Sequence, residues 1–427
     1  MRFSRLILLT SFFTFLFTQV EADTIRQMQY NLLYYTENGA GDCDNTTNSL
    51  SSKDQAFKTI VKYVMPDVLT VNEIGKGSNY TQRILDNVLN TDGVNYWDCI
   101  STVSNPSASI TIGNGFFYDT RKLAPHSTFY VTTSVCYFNA YKMYYRSTNL
   151  AQGDTAFITF IVCHLKAGYN YTAERFDQAK QLMNRLVGIG RADNYVLSGD
   201  FNVYNASTED AYQHFVHHTN PLVRFYDPIN QEGDWYNNPN YADVFTQSTH
   251  SESNGCHSGG GMDNRFDFIL VSDFIMNGHN KVRCIPETYR AIGQDGNRHN
   301  HSIIDPTNTA VPQYIANALY TMSDHLPVVM DYAIDATLAI PENPTELSIG
   351  VVNPVGSQLV VYPHCDHAAP LTFRLYTIDG KLIHEEIQYV ENGTSCLTLR
   401  FPYPSAIYIL RITDDQQRSS FHKIVKP

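Results

Sequence analysis

Between Tyr195 and Asn205 the chain reads YVLSGDFNVYN, and two residues in it have the types and spacing to do chemistry together. The apolar run Val196-Leu197 ends at Ser198-Gly199, after which Asp200 and Asn202 stand two apart; in extended backbone that spacing points both side chains to one face of the strand end. A carboxylate and a carboxamide thus converge. Alone, such a string is more often a turn after a strand. Its weight comes from Asn31, Asn72-Glu73, His164, Asp267 and Asp324-His325, each beside a run that reads as a strand. Hard oxygen donors such as Glu73, Asp324 and Asn31 suit Mg²⁺ or Mn²⁺, with Ca²⁺ also accommodated, and do not suit soft metals. Together with the imidazoles they suit hydrolysis of a phosphodiester, which requires a charge-neutralised transition state, an activated water and a protonated leaving alkoxide.

The elements that must position these residues follow from periodicity. Thr24 to Tyr34 alternates as a strand with Asn31 near its end. Ser52 with Gln55 predicts the cap of a helix carrying Phe57, Ile60, Val61 and Val64 on one face, stopped by Pro66. Asp67 to Val71 is a second strand and runs directly into Asn72-Glu73. A helix is expected over Ser78 to Leu89, with strands at Trp97 to Ile100, Thr111 to Tyr118 and Thr128 to Val131. The Tyr-rich run Tyr137 to Tyr145 reads as alternating strand surface. A longer buried strand, Thr155 to Cys163, delivers His164, and the helix Thr172 to Val187 turns Phe176, Ala179, Met183 and Leu186 inward. A short helix is expected from about Thr208 to Val216. Past Asn220 the chain is loop-like and rich in Tyr and Asn until Arg265 to Val271, which carries Asp267 near its start. Glu287 to Asn308 reads as a polar segment in which Arg298 to His301 form a solvated loop. Ser323-Asp324-His325 then leads into a last strand, Val328 to Ile334.

In this order Asn31, Asn72-Glu73, His164-Leu165, Gly199-Asp200-Phe201-Asn202, Phe266-Asp267-Phe268 and Ser323-Asp324-His325 resemble the endonuclease/exonuclease/phosphatase superfamily, which includes DNase I, abasic-site endonucleases, bacterial sphingomyelinases and inositol-polyphosphate 5-phosphatases. The match spans residues 24 to 334. The resemblance implies a DNase I-like α/β fold, a four-layer αββα sandwich with the site at one edge of its two sheets. It also implies roles. Glu73 would be the principal metal ligand, with Asn31 and Asp324 in or beside its shell. Asp200 and Asn202 would hold the attacking water and a non-bridging oxygen, or a second ion. His325 would act as base or phosphate contact, oriented by Asp267, and His164 would contact the scissile phosphate or protonate the leaving group. Several members carry a phosphate-contacting arginine on the strand before the histidine strand; here that region reads CYFNAYKMYYRS, with Lys142 and Arg146 as its cations.

At 427 residues the chain exceeds one ordinary domain. A formal net charge of -12 and the lack of a basic tract exclude a passive electrostatic nucleic-acid binder, whereas an enzyme needs only local complementarity. Arg2 and Arg5 ahead of the apolar run Leu6 to Phe17, then Val20-Glu21-Ala22, predict a signal peptide over residues 1–22 and hence export. No later stretch approaches the ~20 apolar residues of a membrane span. All eight cysteines follow the signal, an even count that favours disulfides in an exported chain. Cys365 and Cys396 are placed to pair, and Cys256 and Cys284 are expected to tie a loop.

Residues 23–334 are the expected catalytic domain, 335–347 with Pro341 and Pro344 a linker, and 348–427 a small all-β sandwich. Strands are expected in it at Gln358 to Tyr362, Leu371 to Thr377, Ser395 to Leu399 and Ile407 to Ile412, with a turn at Asp379-Gly380. Asn353-Pro354, Tyr376 to Lys381, Ile407 to Arg411 and Lys423 to Lys426 resemble the C-terminal sorting domain of type IX secretion substrates. That resemblance implies the secretion machinery as a partner and a secreted or cell-surface location; an accessory carbohydrate- or surface-binding domain is the alternative. The expected function is therefore an exported, monomeric, divalent-metal-dependent phosphodiester hydrolase, first of all a nuclease with DNA or RNA as substrate. Sphingomyelinase-like phospholipid cleavage stands second, since no long apolar hairpin for membrane insertion is visible. A catalytically silent surface-binding protein on the same scaffold stands third, and would have no need of the intact acidic, amide and imidazole set.

Overall fold

The computed structural model describes residues 23–37, 42–148, 150, 155–335, 349–365, 367–378, 380–415 and 418–427. The chain divides into two units, Met1–Ala339 and Ile340–Pro427. The expected signal peptide, and the expected linker from 336 onward, lie outside the described residues. Among those described, no helix is long and apolar enough to cross a membrane.

The first unit opens with β1 (Asp23–Tyr35), α1 (Leu50–Val64), β2 (Val68–Gly75), α2 (Ser78–Ile84), β3 (Trp97–Cys99) and β4 (Ile112–Asp119). A second run follows: β5 (Leu123–Val131), β6 (Phe138–Tyr145), β7 (Phe157–His164), α3 (Thr172–Ile189), β8 (Tyr195–Asp200), α4 (Asp210–Val216), β9 (Phe225–Tyr226), β10 (Asp267–Ser272) and α5 (Asp273–Asn277). Finally β11 (Val282–Ala291), α6 (Gln313–Met322) and β12 (Val328–Ile334) rejoin the first sheet. The sheet orders are β11-β12-β1-β2-β4-β3 and β5-β6-β7-β8-β10-β9. Among the described strands only β1–β2 and β7–β8 are parallel neighbours, and each pair is joined by a helix, as a parallel pair requires.

Alternation along the strands builds the layers. Met28, Tyr30, Leu69 and Val71 face Phe57 and Ile60 of α1 and Ile315 and Leu319 of α6. Cys163, Leu197, Phe268 and Leu270 face Leu182 of α3 and Phe215 of α4. Between the sheets lie Ile25, Val68, Phe116, Phe160, Val196, Ile269 and Met330. The result is the expected helix–sheet–sheet–helix sandwich.

Toward the site the inter-sheet layer turns polar while staying buried, through Gln27, Gln29, Thr70, Asn72, Asn114, Asn139 and Ser198. Gln27 Nε2 donates to Ser198 Oγ at 2.8 Å across the gap. Asn72 Nδ2 donates to Asn114 Oδ1 and to the Cys163 carbonyl, both at 2.8 Å, while its Oδ1 accepts the Asp200 N–H at 2.9 Å. Buried amides are tolerable only when so paired. Their pairing locks one sheet's register to the other's, which fixes the strand ends that carry the site.

Several expectations are corrected. α1 begins at Leu50 after Ser49, whose carbonyl accepts the Lys53 N–H at 3.0 Å, so Ser52 and Gln55 lie inside the helix and cap nothing. Glu287 to Ala291 belongs to β11, paired to β12 with Arg290 opposite Val329. α6 was not anticipated, although Ile315, Ala316, Leu319 and Met322 have helical spacing. The Tyr-rich strand β6 is interior, with Tyr141, Met143 and Tyr145 buried and Tyr141 stacked on Phe116 at 4.4 Å. Cys256 pairs with Cys43, whereas Cys284 is buried and free beside Met276. Cys99, Cys136, Cys163 and Cys396 are also free. Cys163 packs in the helix-side core and Cys284 between the sheets, so a count alone could not pair them.

The second unit is all-β, as expected. It comprises β13 (Ile349–Val351), β14 (Gln358–Cys365), β15 (Ala369–Thr377), β16 (Leu382–Val390), β17 (Gly393–Thr394), β18 (Leu397–Arg400), β19 (Ala406–Thr413) and β20 (Ser419–Lys426). One sheet joins β13, β14, β17 and β18 and the other runs β16-β15-β19-β20. They close over Val361, Phe373, Leu375, Leu410 and Ile424. Asp379 of the expected turn, and the Cys365 side chain of the expected bridge, lie outside the described residues.

Candidate active site

β1 does not end as a plain strand. Its register against β2 shifts between Asn31 and Tyr35, and Leu33 and Tyr34 both take a left-handed φ of 45°, a conformation unfavourable for large side chains. Lys53 of α1, 1% exposed, holds this kink: Nζ donates to the carbonyls of Leu32 (2.6 Å) and Leu33 (2.5 Å) and to Asn48 Oδ1 (2.7 Å). Burial pushes its pKa down to about 7, opposed by Asp324 and Glu73. Three acceptors this close require three N–H groups, which only the ammonium has. The kink turns the Tyr34 N–H onto Glu73 Oε2 at 3.0 Å.

Lys53 escaped the sequence reading, yet it stands four residues before Phe57 and seven before Ile60, on the buried face of its helix. Replacing it by methionine strands buried acceptors, so Lys53→Met is expected to destabilise the chain by about 2–4 kcal/mol in urea unfolding. Unchanged stability would remove Lys53 from its structural role.

Glu73 itself has a φ of 59° at a break in the β2–β4 register. Its pKa is raised by burial and by Asp324, against the pull of Asn31 and His325. Asn31 Nδ2 bridges the two sheets, donating at 3.0 Å both to Glu73 Oε1 and to Asp200 Oδ2, while its Oδ1 accepts the Leu33 N–H at 2.9 Å. In this geometry the amide offers the carboxylates its nitrogen. Binding a cation through oxygen requires it to turn over.

On the second sheet, a Cβ at Gly199 would stand 1.8 Å from the Cys163 carbonyl oxygen, so only glycine lets β8 approach β7 this closely. Asp200 follows, its Oδ1 accepting the Asn202 N–H at 2.9 Å. Burial raises Asp200 to about 6, with His325 and His164 pulling the other way. His164 Nε2 lies 3.7 Å from both Glu73 Oε1 and Asp200 Oδ2, and burial lowers its pKa. Asn202 stands at the flank, its Nδ2 on the Leu165 carbonyl at 3.3 Å.

The remaining group comes from β10 and the turn before β12. His325 Nδ1 donates to Asp267 Oδ2 at 2.7 Å, and its Nε2 lies 3.8 Å from Asp200 Oδ2 and 4.0 Å from Asp324 Oδ1. Burial opposes the charged ring, but Asp267, Asp200 and Asp324 hold His325 well above its ordinary pKa. Gln247, which the sequence reading missed in an aperiodic loop, sets its amide Nε2 2.8 Å from His325 Nε2; two N–H donors cannot face one another, so when His325 is charged this amide must present its oxygen instead. Ser323 Oγ donates to the Asn31 carbonyl at 2.7 Å and ties this turn to β1. Asp324 Oδ2 accepts the Ser258 N–H at 2.9 Å, on the loop that the Cys43–Cys256 bridge secures.

The structure therefore gathers Asn31, Glu73, His164, Asp200, Asp267, Asp324 and His325 around one volume, with Asn202 beside it. Lys142 and Arg146 are employed elsewhere: Lys142 pairs with Asp193 at 2.6 Å, and Arg146 meets the Leu123 carbonyl at 3.4 Å. Arg298 is buried, not solvated; it clamps Asp295 and the Thr307 carbonyl and closes its own loop.

A divalent cation fits this donor set. Ligand atoms of Glu73, His164 and Asp200 lie within 4.8 Å of one another, and Asp324 Oδ1 is buried without a hydrogen-bond partner. The carboxylate oxygens suit Mg²⁺ or Mn²⁺, and the His164 nitrogen, no ligand for Mg²⁺, is left for the phosphate.

No family model matches the chain, and no curated protein matches it. Among solved structures it is similar to the human Nocturnin catalytic domain with bound sulfate, at 16% identity over 73% of this chain and 94% of that one, TM-score 0.46. It is similar to an endonuclease/exonuclease/phosphatase family protein from Bacteroides thetaiotaomicron, at 16% identity over 74% and 99%, TM-score 0.44. A mannosyl-6-phosphatase from the same organism aligns at 14% identity over 72% and 99%, TM-score 0.42. Likeness at this level speaks to neither substrate nor activity.

Proposed function

We propose that the first unit is a divalent-metal-dependent phosphodiester hydrolase acting first of all on nucleic acid. One observation supports this above the rest: the buried Asp200 carboxylate stands between two imidazoles, His164 Nε2 at 3.7 Å and His325 Nε2 at 3.8 Å, with Glu73 also 3.7 Å from His164. A carboxylate and two imidazoles thereby meet at one buried point, with burial drawing His164 toward the neutral form and, against burial, Asp267 drawing His325 toward the charged one.

Mg²⁺ or Mn²⁺, held by Glu73 with Asp324 and Asn31 beside it, would neutralise charge on the phosphoryl oxygens. Asp200, raised to about 6, is matched to take a proton from water near neutral pH. Asp267 pins His325 Nδ1, and the opposite nitrogen, once Gln247 yields it to substrate, gives its proton to the leaving alkoxide while Asp200 takes one from water. His164, neutral, orients the phosphate through Nε2. Asn202 holds the Asp200 carboxylate in place by its backbone N–H. Export, a secreted or cell-surface location and type IX sorting complete the proposal, supported by the pattern of residues 1–22 and the all-β second unit; a monomeric state is proposed with them.

The test incubates the full chain with plasmid DNA, RNA and sphingomyelin, each with Mg²⁺, Mn²⁺ or Ca²⁺ and with chelator. Chelator-sensitive cleavage of nucleic acid is expected, with turnover falling on the order of 10² or more in His325→Gln. Cleavage of sphingomyelin alone would transfer the reading to lipid, and silence on every substrate would end it.

A further inference from the structure

Three tyrosines stand at the rim of the site, on loops that leave its strands. Tyr169 follows β7, Tyr204 follows β8, and Tyr236 lies in the segment before β10. Their rings touch in a closed set, with centroids 5.1 Å apart for Tyr169–Tyr204, 5.9 Å for Tyr169–Tyr236 and 5.7 Å for Tyr204–Tyr236. Tyr169 is 62% exposed and Tyr236 51%. The set is continuous with the chemistry: Tyr204 meets Phe266 edge-on at 5.0 Å, and Phe266 lies 6.4 Å from the His325 ring.

Exposed rings are unremarkable on loose loops, but these loops are fastened. Arg175 of α3, fully buried, donates to the Lys166 carbonyl (3.0 Å) and the Gly168 carbonyl (2.7 Å), with a longer contact to the Tyr169 carbonyl (3.5 Å). It also pairs with both oxygens of Glu209, at 3.0 and 2.6 Å. Glu209 Oε1 accepts the Tyr204 N–H at 3.4 Å, and the Tyr204 carbonyl accepts the N–H groups of Trp235 (3.0 Å) and Tyr236 (3.2 Å). A buried ion pair is weak evidence for added stability. Here it links the backbones of all three tyrosines and so presents exposed rings with little ordering left to be done on binding.

We propose that Tyr169, Tyr204 and Tyr236 form a stacking subsite for the nucleobase beside the scissile phosphate of a single-stranded nucleic acid. The subsite presupposes the phosphodiesterase reading and specifies its substrate. Interplanar angles of 70°, 47° and 77° make these contacts edge-on or tilted, so each occupies one face of a ring at most, and the exposure of Tyr169 and Tyr236 leaves ring surface for a base. Every base of a single strand offers such a face, whatever its identity. A quaternary ammonium head group would need the rings spread around a gap, and rings this close to one another leave none. With a formal net charge of -12 the chain has little general attraction for a polyanion, so stacking is the contact available to it.

The test uses the full chain in chelator, which prevents turnover. Fluorescence anisotropy compares a labelled oligothymidylate with an abasic oligonucleotide of the same length. The base-bearing strand is expected to bind about tenfold tighter or more. Tyr169→Ala combined with Tyr236→Ala should erase most of that difference, whereas Tyr169→Phe with Tyr236→Phe should keep it. Equal affinities for the two strands, binding of neither, or full retention in the alanine pair would overturn the subsite. Turnover is scored separately with Mn²⁺. Base-dependent binding without any chelator-sensitive hydrolysis keeps the stacking of a base on these rings and overturns its place beside a scissile phosphate together with the enzyme reading; hydrolysis with equal affinities keeps the enzyme and overturns the subsite.

Discussion

Asparagine in place of Asp200 is expected to lower turnover on the order of 10³ while leaving the folded chain about as stable as before. The carboxylate is 1% exposed, and both its oxygens accept N–H groups, from Asn202 and from Asn31. Asparagine keeps one acceptor and loses the other, costing about 1 kcal/mol. Against this, it removes a buried charge. The folded-state pKa of about 6 exceeds the ordinary 3.8, so between those values the folded chain holds a proton that the unfolded chain has released. Wild-type stability therefore falls as pH rises through that window, by ~3 kcal/mol, and the deficit is fully present above pH 6. Relative to wild type, Asp200→Asn should be slightly less stable near pH 3.5 and equal or more stable at pH 7.5. Urea unfolding in chelator at both pH values, with turnover at pH 7.5, checks this. Wild-type turnover should itself decline as pH drops through about 6. A loss of 3–5 kcal/mol at pH 7.5 would mark Asp200 as one half of a structural pair, and retained turnover would remove it from the chemistry.

How far this site could be read in the sequence depended on what periodicity reports. Asn31, Glu73, His164 and Asp267 were visible because each interrupts or follows a strand-like run, and a strand end is where side chains leave the core. Period two, however, distinguishes polar from apolar and not exposed from buried. Gln27 and Gln29 are the polar positions in the alternation of β1, yet the face they form lies against the second sheet and is dry. What admits amides there is their pairing with Thr70, Ser198 and Tyr332, which no local pattern reveals.

The opposite error hid β11, an edge strand whose Arg283, Glu287 and Arg290 are polar because one side of it has no neighbour. Gln247 lies in a loop with no period at all. Lys53 was legible in principle, since its spacing to Phe57 and Ile60 placed a charge on a buried helix face; only the kink in β1 shows what that charge holds. The cysteines failed for a related reason: their number constrains pairing, but proximity decides it.

The other large effect concerns Glu73. Mn²⁺ added to the chelator-treated chain is expected to raise its stability, and Glu73→Gln to abolish most of that gain together with turnover. Glu73 is held by Asn31 Nδ2 and the Tyr34 N–H, two bonds that orient the carboxylate without neutralising it. Burial and Asp324 both disfavour its charge. Asp324 Oδ1 and Asp267 Oδ1 add further buried oxygens without partners. A cation relieves this crowding, and binding to the folded chain alone stabilises it by about 2.7 kcal/mol at a hundredfold excess over Kd. Glutamine retains the shape and one acceptor but not the charge, so the metal-free variant should unfold no more easily than wild type. The metal-dependent increment should shrink by more than half, and turnover should fall on the order of 10² or more. Thermal unfolding of both proteins across a Mn²⁺ titration separates the outcomes. Equal shifts in the two would place the ion among other carboxylates, of which the chain has many. No shift in the wild type would leave the carboxylates of the site without the cation that their mutual repulsion calls for, and the hydrolase reading would fall with it.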